Sequence, residues 1–200
     1  MFRKGLIIVV CGPSGVGKGT LLSEVLDSSE NMRFSVSATT RAPREGEIEG
    51  VDYFFKTHAE FEKMINDDEL VEWVKYVDNY YGTPGKPIEA SISSGTDIVL
   101  DIEVEGAQHI KKKYPDSVLI FIFPPSLEEL KKRIEKRGTE NVGEIEKRLI
   151  RAKVELSYVK KYDYVVINDD KGEAINEIKS IILSEKLKVE RNSDLIEKFN

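Results

Sequence analysis

The sequence predicts an α/β fold, a parallel sheet flanked by helices, and three observations carry that expectation. Apolar, β-rich runs recur at 6–11, 97–102, 118–123 and 164–167. They are continuously apolar rather than alternating, which suits strands covered on both faces. Helix-like segments fall between and after them, at 19–27, 84–95, 105–113, 126–137, 144–161 and about 171–187. Such alternation lays strands in parallel with helices on either side. At 200 residues, 40% hydrophobic and 33% charged, the chain can bury one sizeable core and carry one small inserted lobe.

The first run, Leu6-Ile7-Ile8-Val9-Val10, leads through Cys11 into Gly12-Pro13-Ser14-Gly15-Val16-Gly17-Lys18-Gly19-Thr20, and the helix-like Thr20-Leu21-Leu22-Ser23-Glu24-Val25-Leu26 follows. Strand, glycine-rich loop and helix in that order form a phosphate cradle. The glycines let backbone N–H groups turn toward an anion, the lysine reaches the outer phosphates, and the helix N-terminus adds partial positive charge. A nucleoside triphosphate is the expected ligand. A plain glycine-rich turn would explain the glycines but not the lysine aimed into the loop. Gly19 stands where the simplest form of the pattern has a Ser or Thr hydroxyl for magnesium, and Thr20 is the nearest substitute.

Residues 35–83 interrupt the alternation. Richer in Thr, Tyr and Phe, they offer short strand candidates at 34–38, 52–56 and 73–78 and a helix at 58–68, and they read as a small mixed lobe. Within it, Ser37-Ala38-Thr39-Thr40-Arg41-Ala42-Pro43-Arg44-Glu45-Gly46-Glu47 sets two arginines three residues apart beside hydroxyls. Paired guanidinium groups suit a phosphate monoester. Asp52-Tyr53-Phe54-Phe55, Glu72-Trp73 and Asn79-Tyr80-Tyr81-Gly82-Thr83 add phenols and a carboxylate able to meet a phosphate or a base edge. Spacing alone leaves a second reading open, in which the aromatics form the lobe's own core and the charges face water.

Beyond the lobe, Asp101 ends the second core strand. Pro124-Pro125-Ser126 closes the third and offers Ser126 as a helix N-cap, with Glu129 three residues on to complete a capping box. Arg133 and Arg137 lie one turn apart before Gly138, and Arg148 and Arg151 follow on the next helix. On sequence alone such runs are solvated helical surface. The tail 185–200 reads as an exposed terminal helix with a frayed end.

A net charge of −6 argues against a general nucleic-acid binder. The single cysteine, Cys11, excludes a disulfide framework and a thiol-rich metal site. His58 and His109 match no metal spacing. The apolar run near the N-terminus is too short for a membrane span and lacks a signal-peptide pattern, so a cytoplasmic protein is expected.

Taken together, Gly12 to Lys18, Ser37-Ala38-Thr39-Thr40-Arg41-x-x-Arg44-x-Gly46-Glu47, Glu72-Trp73, Tyr80-Tyr81-Gly82-Thr83 and Arg137-Gly138-Thr139-Glu140 resemble the guanylate kinase family over about residues 5–185. The resemblance implies a P-loop nucleoside triphosphate hydrolase-like three-layer core with a GMP-binding lobe and a helical lid. Its parts would be a core of 1–34, 84–125 and 155–200, a lobe of 35–83 and a lid of 126–154. The implied reaction converts ATP and GMP to ADP and GDP with Mg2+. The partners are then small-molecule substrates, with no nucleic acid or membrane and an undetermined oligomeric state.

By resemblance, Gly12, Pro13, Ser14, Gly15, Val16, Gly17, Lys18, Gly19 and Thr20 bind ATP, with Asn168 near the adenine. For GMP, Glu72 takes the guanine N1–H and 2-amino donors, Ser37 faces O6, and Gly82, Thr83 and Glu103 complete the pocket beside Asp101. Arg41, Arg44, Tyr53 and Tyr81 hold the acceptor phosphate. Thr20 and Asp101 serve Mg2+, through water at Asp101. Lys18 and Arg41, with the lid arginines Arg133, Arg137 and Arg148, act on the transferring group; Arg151 is not among them. Two positions depart from the family's usual residues, Glu105 for Gln and Glu103 for Asp. Two other functions remain open at this point: a kinase for another phosphorylated acceptor, and an inactive module of the same fold that binds phosphopeptides.

Overall fold

The computed structural model describes residues 4–76, 78–136 and 142–193, apart from the side chains of Tyr76, Val142 and Glu144. In chain order the elements are β1 (Ile7–Cys11), α1 (Lys18–Asp27), β2 (Met32–Phe34), β3 (Ser37–Thr39), β4 (Tyr53–Phe55), α2 (His58–Asn66), β5 (Leu70–Tyr76), β6 (Asn79–Pro84), α3 (Gly85–Ser93), β7 (Asp97–Asp101), α4 (Val104–Lys113), β8 (Val118–Phe123), α5 (Leu127–Glu135), α6 (Val142–Ser157), β9 (Tyr164–Ile167) and α7 (Lys171–Leu187). A five-stranded sheet runs in the order β2-β7-β1-β8-β9, and every pairing in it is parallel. A four-stranded mixed sheet, β4-β3-β6-β5, forms the lobe.

The pleat of β1 explains the three layers. Ile8 and Val10 point to one face, where Leu21, Leu22 and Val25 of α1, Leu130 and Ile134 of α5, and Ile175, Ile178 and Ile182 of α7 cover them. Ile7, Val9 and Cys11 point to the other, against Ile88 of α3 and Val104, Ala107 and Ile110 of α4. Period-two strands meeting period-3.6 helices bury both faces, which is why the strand runs are apolar throughout. In contrast, the lobe closes over a thin cluster of Ala38, Phe61 and Leu70, with Phe54, Met64, Ile65 and Tyr80 around it.

The helices predicted from sequence are all present, with ends shifted by a few residues. Three local expectations fail, each for a physical reason. The strand expected at 34–38 divides between the two sheets, Phe34 pairing Val99 in the core and Ser37 pairing Tyr53 in the lobe. An unexpected strand, β6, runs through Tyr80-Tyr81-Gly82-Thr83, where Gly82 signals a turn in sequence but lies mid-sheet here because β3 and β5 flank it. Ser126 does cap α5, accepting from the Glu129 amide at 3.0 Å, but the Glu129 carboxylate turns to Arg133 Nε at 3.0 Å instead of closing a capping box. The full box belongs to α2, between Thr57 and Glu60.

The tail also differs from its expectation. Glu185 is 2% exposed and accepts from the Tyr164 hydroxyl at 2.5 Å and from Arg191 at 3.0 Å. Arg191, which also donates to the Asp116 carbonyl at 2.7 Å, holds the chain after α7 against the core as a short 3-10 turn, Val189–Asn192. Residues 194–200 lie outside the described part. None of the described helices is long and apolar enough to cross a membrane.

Candidate functional site

β1 lies inside the parallel sheet, with β7 on one side and β8 on the other, so the loop after it opens into the crevice at the carboxyl ends of the strands. Ligands of open α/β sheets bind there. Gly17 is the N-cap of α1 at φ 98°, a left-handed conformation that an L side chain resists. A Cβ there would lie 2.6 Å from Asn168 Nδ2. The cap supplies no side-chain oxygen and the first turn holds no acid, so the helix's N-terminal amides and dipole are open to an external anion.

Lys18 spans the mouth of this loop. Its Nζ donates to the Gly12 carbonyl at 2.6 Å and stands 4.0 Å from Asp101 Oδ1, at the end of β7. Asn168, after β9, is 8% exposed and donates from Nδ2 to the Val16 carbonyl at 2.7 Å, while its own carbonyl accepts from Arg133 Nη1 at 3.0 Å. Asn168 thus ties the loop to α5. Asp101 borders the crevice, open to water on one side yet packed by protein on the others. Desolvation raises its pKa against the pull of Lys18, and the Glu103 charge adds to the rise. Beneath the loop, Cys11 donates its thiol to the Ile102 carbonyl at 3.0 Å, and burial pushes its pKa up to about 12, in keeping with core packing.

The acceptor side is built from side chains. β5 and β6 pair Glu72 with Thr83, and the Thr83 hydroxyl donates to Glu72 Oε1 at 2.5 Å. α4 presses against this carboxylate: a Cβ on Gly106 would come within 2.7 Å of Glu72 Oε2. Glu72 is 7% exposed, and desolvation raises its pKa; the Thr83 bond opposes the rise and the charge of Glu103 adds to it. Ser37 pairs with Tyr53, and Gly82, buried mid-strand, pairs with Ala38 and Trp73.

Arg41 lies over the Tyr53 ring at 5.4 Å, and Tyr53 meets Tyr81 edge-on at 6.3 Å. Glu47 holds the arginine pair in place, accepting from Arg41 Nη2 at 2.7 Å on one oxygen and from the Arg44 amide at 2.7 Å on the other. That bond lowers the Glu47 pKa and raises that of Arg41. Sequence reasoning included Glu47 in its motif without giving it a task; the Arg41-to-Glu47 spacing was the only available signal.

The lid candidates part company. Arg133 is held between Glu129 and Asn168 at the edge of the loop, Arg148 is half-buried on α6, and Arg137 lies outside the described residues. Glu103 caps the N-terminal end of α4 by position and meets Arg151 Nη2 at 2.7 Å. Glu105 stands exposed in the first turn of α4, where a negative charge suits the helix dipole. Thr20 sits exposed in the first turn of α1. Thr20 and Asp101 are both hard oxygen donors, and among the described residues no cluster of three or more His, Cys, Asp or Glu could hold a metal. That donor set fits Mg2+, which takes most of its ligands from water and phosphate.

The guanylate kinase family model matches residues 4–185, from before β1 into α7 and thus through the glycine-rich loop and the mixed sheet alike. The chain belongs to the guanylate kinase family. A guanylate kinase from Caldanaerobacter subterraneus subsp. tengcongensis is 50% identical over 193 residues, 96% of this chain and 94% of that protein. One from Bacillus subtilis is 50% identical over 192 residues, with the same coverage of both chains. A crystal structure of guanylate kinase from Anaplasma phagocytophilum superposes with a TM-score of 0.77 at 36% identity, covering 95% of this chain and 90% of that one. The family name denotes an ATP:GMP phosphotransferase.

Proposed function

We propose that this chain transfers the γ-phosphoryl group of ATP to GMP, and to dGMP, releasing ADP and a guanosine diphosphate, in the cytoplasm and in purine nucleotide recycling. The observation that carries the reading is the Glu72–Thr83 pair at 2.5 Å, buried between β5 and β6 beside α4. Guanine offers N1–H and a 2-amino group as adjacent donors, which an anionic Glu72 accepts, and Ser37 meets O6. Adenine would set an unprotonated N1 against the carboxylate. Sites of this kind discriminate by about 10⁴-fold, because the wrong base strands buried polar groups.

Residues 35–83 act as the acceptor lobe and 126–154 as the lid in this account. An oxygen of the GMP phosphate, already anionic near neutral pH, attacks the γ-phosphorus as the bond to the ADP oxygen breaks, so no strong base is needed. Arg41, braced by Glu47, holds that phosphate together with Arg44, Tyr53 and Tyr81. Lys18 and the loop amides of residues 14–20 neutralise the β- and γ-oxygens, while Arg133, Arg137 and Arg148 close over the triphosphate and exclude water. Asn168 keeps the loop in shape beside the adenine. Mg2+, with Thr20 and Asp101 as its protein oxygens, would supply charge neutralisation at the phosphates.

The test is ADP formation with magnesium-ATP and GMP, dGMP, AMP, CMP, UMP or no acceptor. Turnover with GMP and dGMP only is expected. Equal turnover with AMP, or none with GMP, would overturn the reading.

A further inference from the structure

Arg151 donates to two carboxylates carried by different helices. Its Nε donates to Glu155 Oε1 at 2.9 Å, one turn along α6, and Glu155 is nearly buried, with 10% of its side chain exposed. That bond fixes the plane of the guanidinium. Nη2 then reaches Glu103 Oε2 at 2.7 Å, across from α6 to the N-terminal end of α4. A planar fork held by two carboxylates has a defined direction, which a lysine could not reproduce.

Glu103 sits where its orientation matters. It follows Asp101 by two residues, and Gly106 of the same helix start lies against the Glu72 carboxylate. The Glu103 charge is felt at both Glu72 and Asp101. The three carboxylates therefore interact, and Arg151 supplies positive charge to Glu103. Both members of the Arg151–Glu103 pair are about half exposed, at 43% and 52%, so the pair contributes little to stability. Its geometric specificity calls for another account.

We propose that Arg151 is a positioning residue for the acceptor site: it aims the Glu103 carboxylate into the GMP pocket and ties α6, which carries Arg148 three residues earlier, to that pocket. The proposal rests on the GMP reading above and adds to it a residue on the lid helix that governs acceptor affinity without touching the transferring phosphoryl group.

The experiment measures kcat and both KM values for wild type, Arg151→Met, Glu103→Gln and the double variant, with GMP binding to each followed by calorimetry in the absence of ATP. Arg151→Met is expected to raise KM and Kd for GMP by about tenfold, the scale of one charge-assisted hydrogen bond, with KM for ATP and kcat within about twofold. The double variant should be no worse than the weaker single variant, since both remove one interaction. A GMP KM unchanged in Arg151→Met, a parallel loss for ATP and GMP, or effects that multiply in the double variant would each overturn the proposal. Failure of the GMP reading itself would look different: wild type would show no GMP-dependent turnover, and the inference would fall with it.

Discussion

The two sides of the crevice are built by opposite means. The triphosphate side is a backbone device: a loop of consecutive residues, a helix start free of side-chain caps, and one lysine, all seated on β1, which is buried along its whole length. The acceptor side is a side-chain device. Glu72, Thr83, Arg41, Glu47 and Tyr53 come from separate strands and loops of a lobe whose buried cluster is Ala38, Phe61 and Leu70. A contiguous loop on a double core is rigid and needs few residues; a distributed pocket on a thin core gains base specificity but depends on the lobe staying folded.

If that contrast holds, removing one lysine should abolish chemistry without disturbing either fold. Lys18→Ala is expected to lower kcat by about 10³-fold or more, with an unchanged thermal transition; turnover near the wild-type rate would break the account of the loop. The next largest effect separates the two regions directly. Phe61 is fully buried and stacks on Tyr80 at 5.2 Å, so Phe61→Ala should cost the lobe about 3–5 kcal/mol. Fluorescence of Trp73, which meets Tyr80 edge-on at 5.8 Å, should then change at lower denaturant than the helical circular dichroism of the core, with ATP affinity retained. A single shared transition and equal loss of both nucleotides would show the two regions to be one cooperative unit.

The smallest effect concerns pH. Burial raises the Glu72 pKa, so its carboxylate takes up a proton at a higher pH than an ordinary glutamate and loses its ability to accept from guanine. KM for GMP should therefore rise on acidification at a higher pH than an ordinary glutamate would dictate, approaching tenfold per unit once below that raised pKa. Glu72→Gln, already weak, should lack this component and retain only the titration of the GMP phosphate. Identical pH profiles for the two proteins would remove Glu72 from base reading.

The same contrast governs what could be read from sequence. The phosphate loop was legible because its chemistry is local: glycines, lysine and helix start are neighbours in the chain, and the apolar run before them marks a buried strand. Asp101 and Asn168 were legible as strand-end residues, though the bond from Asn168 to the Val16 carbonyl joins positions 152 residues apart and has no signature in composition or spacing. In the lobe, periodicity failed where a short segment served two sheets, as at 34–38, and where turn-forming residues lay mid-strand, as in β6. The partners of charged residues were the least readable. Glu129 could cap α5 or pair with Arg133, and in the fold it pairs with Arg133, which also reaches the Asn168 carbonyl; Arg151 looked like solvated helix until α4 was beside it.

Calorimetric titration of GMP and of ATP into wild type and Glu72→Ala tests the division of labour most directly. The account predicts that the variant binds GMP at least about 10²-fold more weakly, since the buried partners of guanine are lost, and binds ATP as wild type does. Equal weakening of both nucleotides, or GMP binding that survives the substitution, would contradict it.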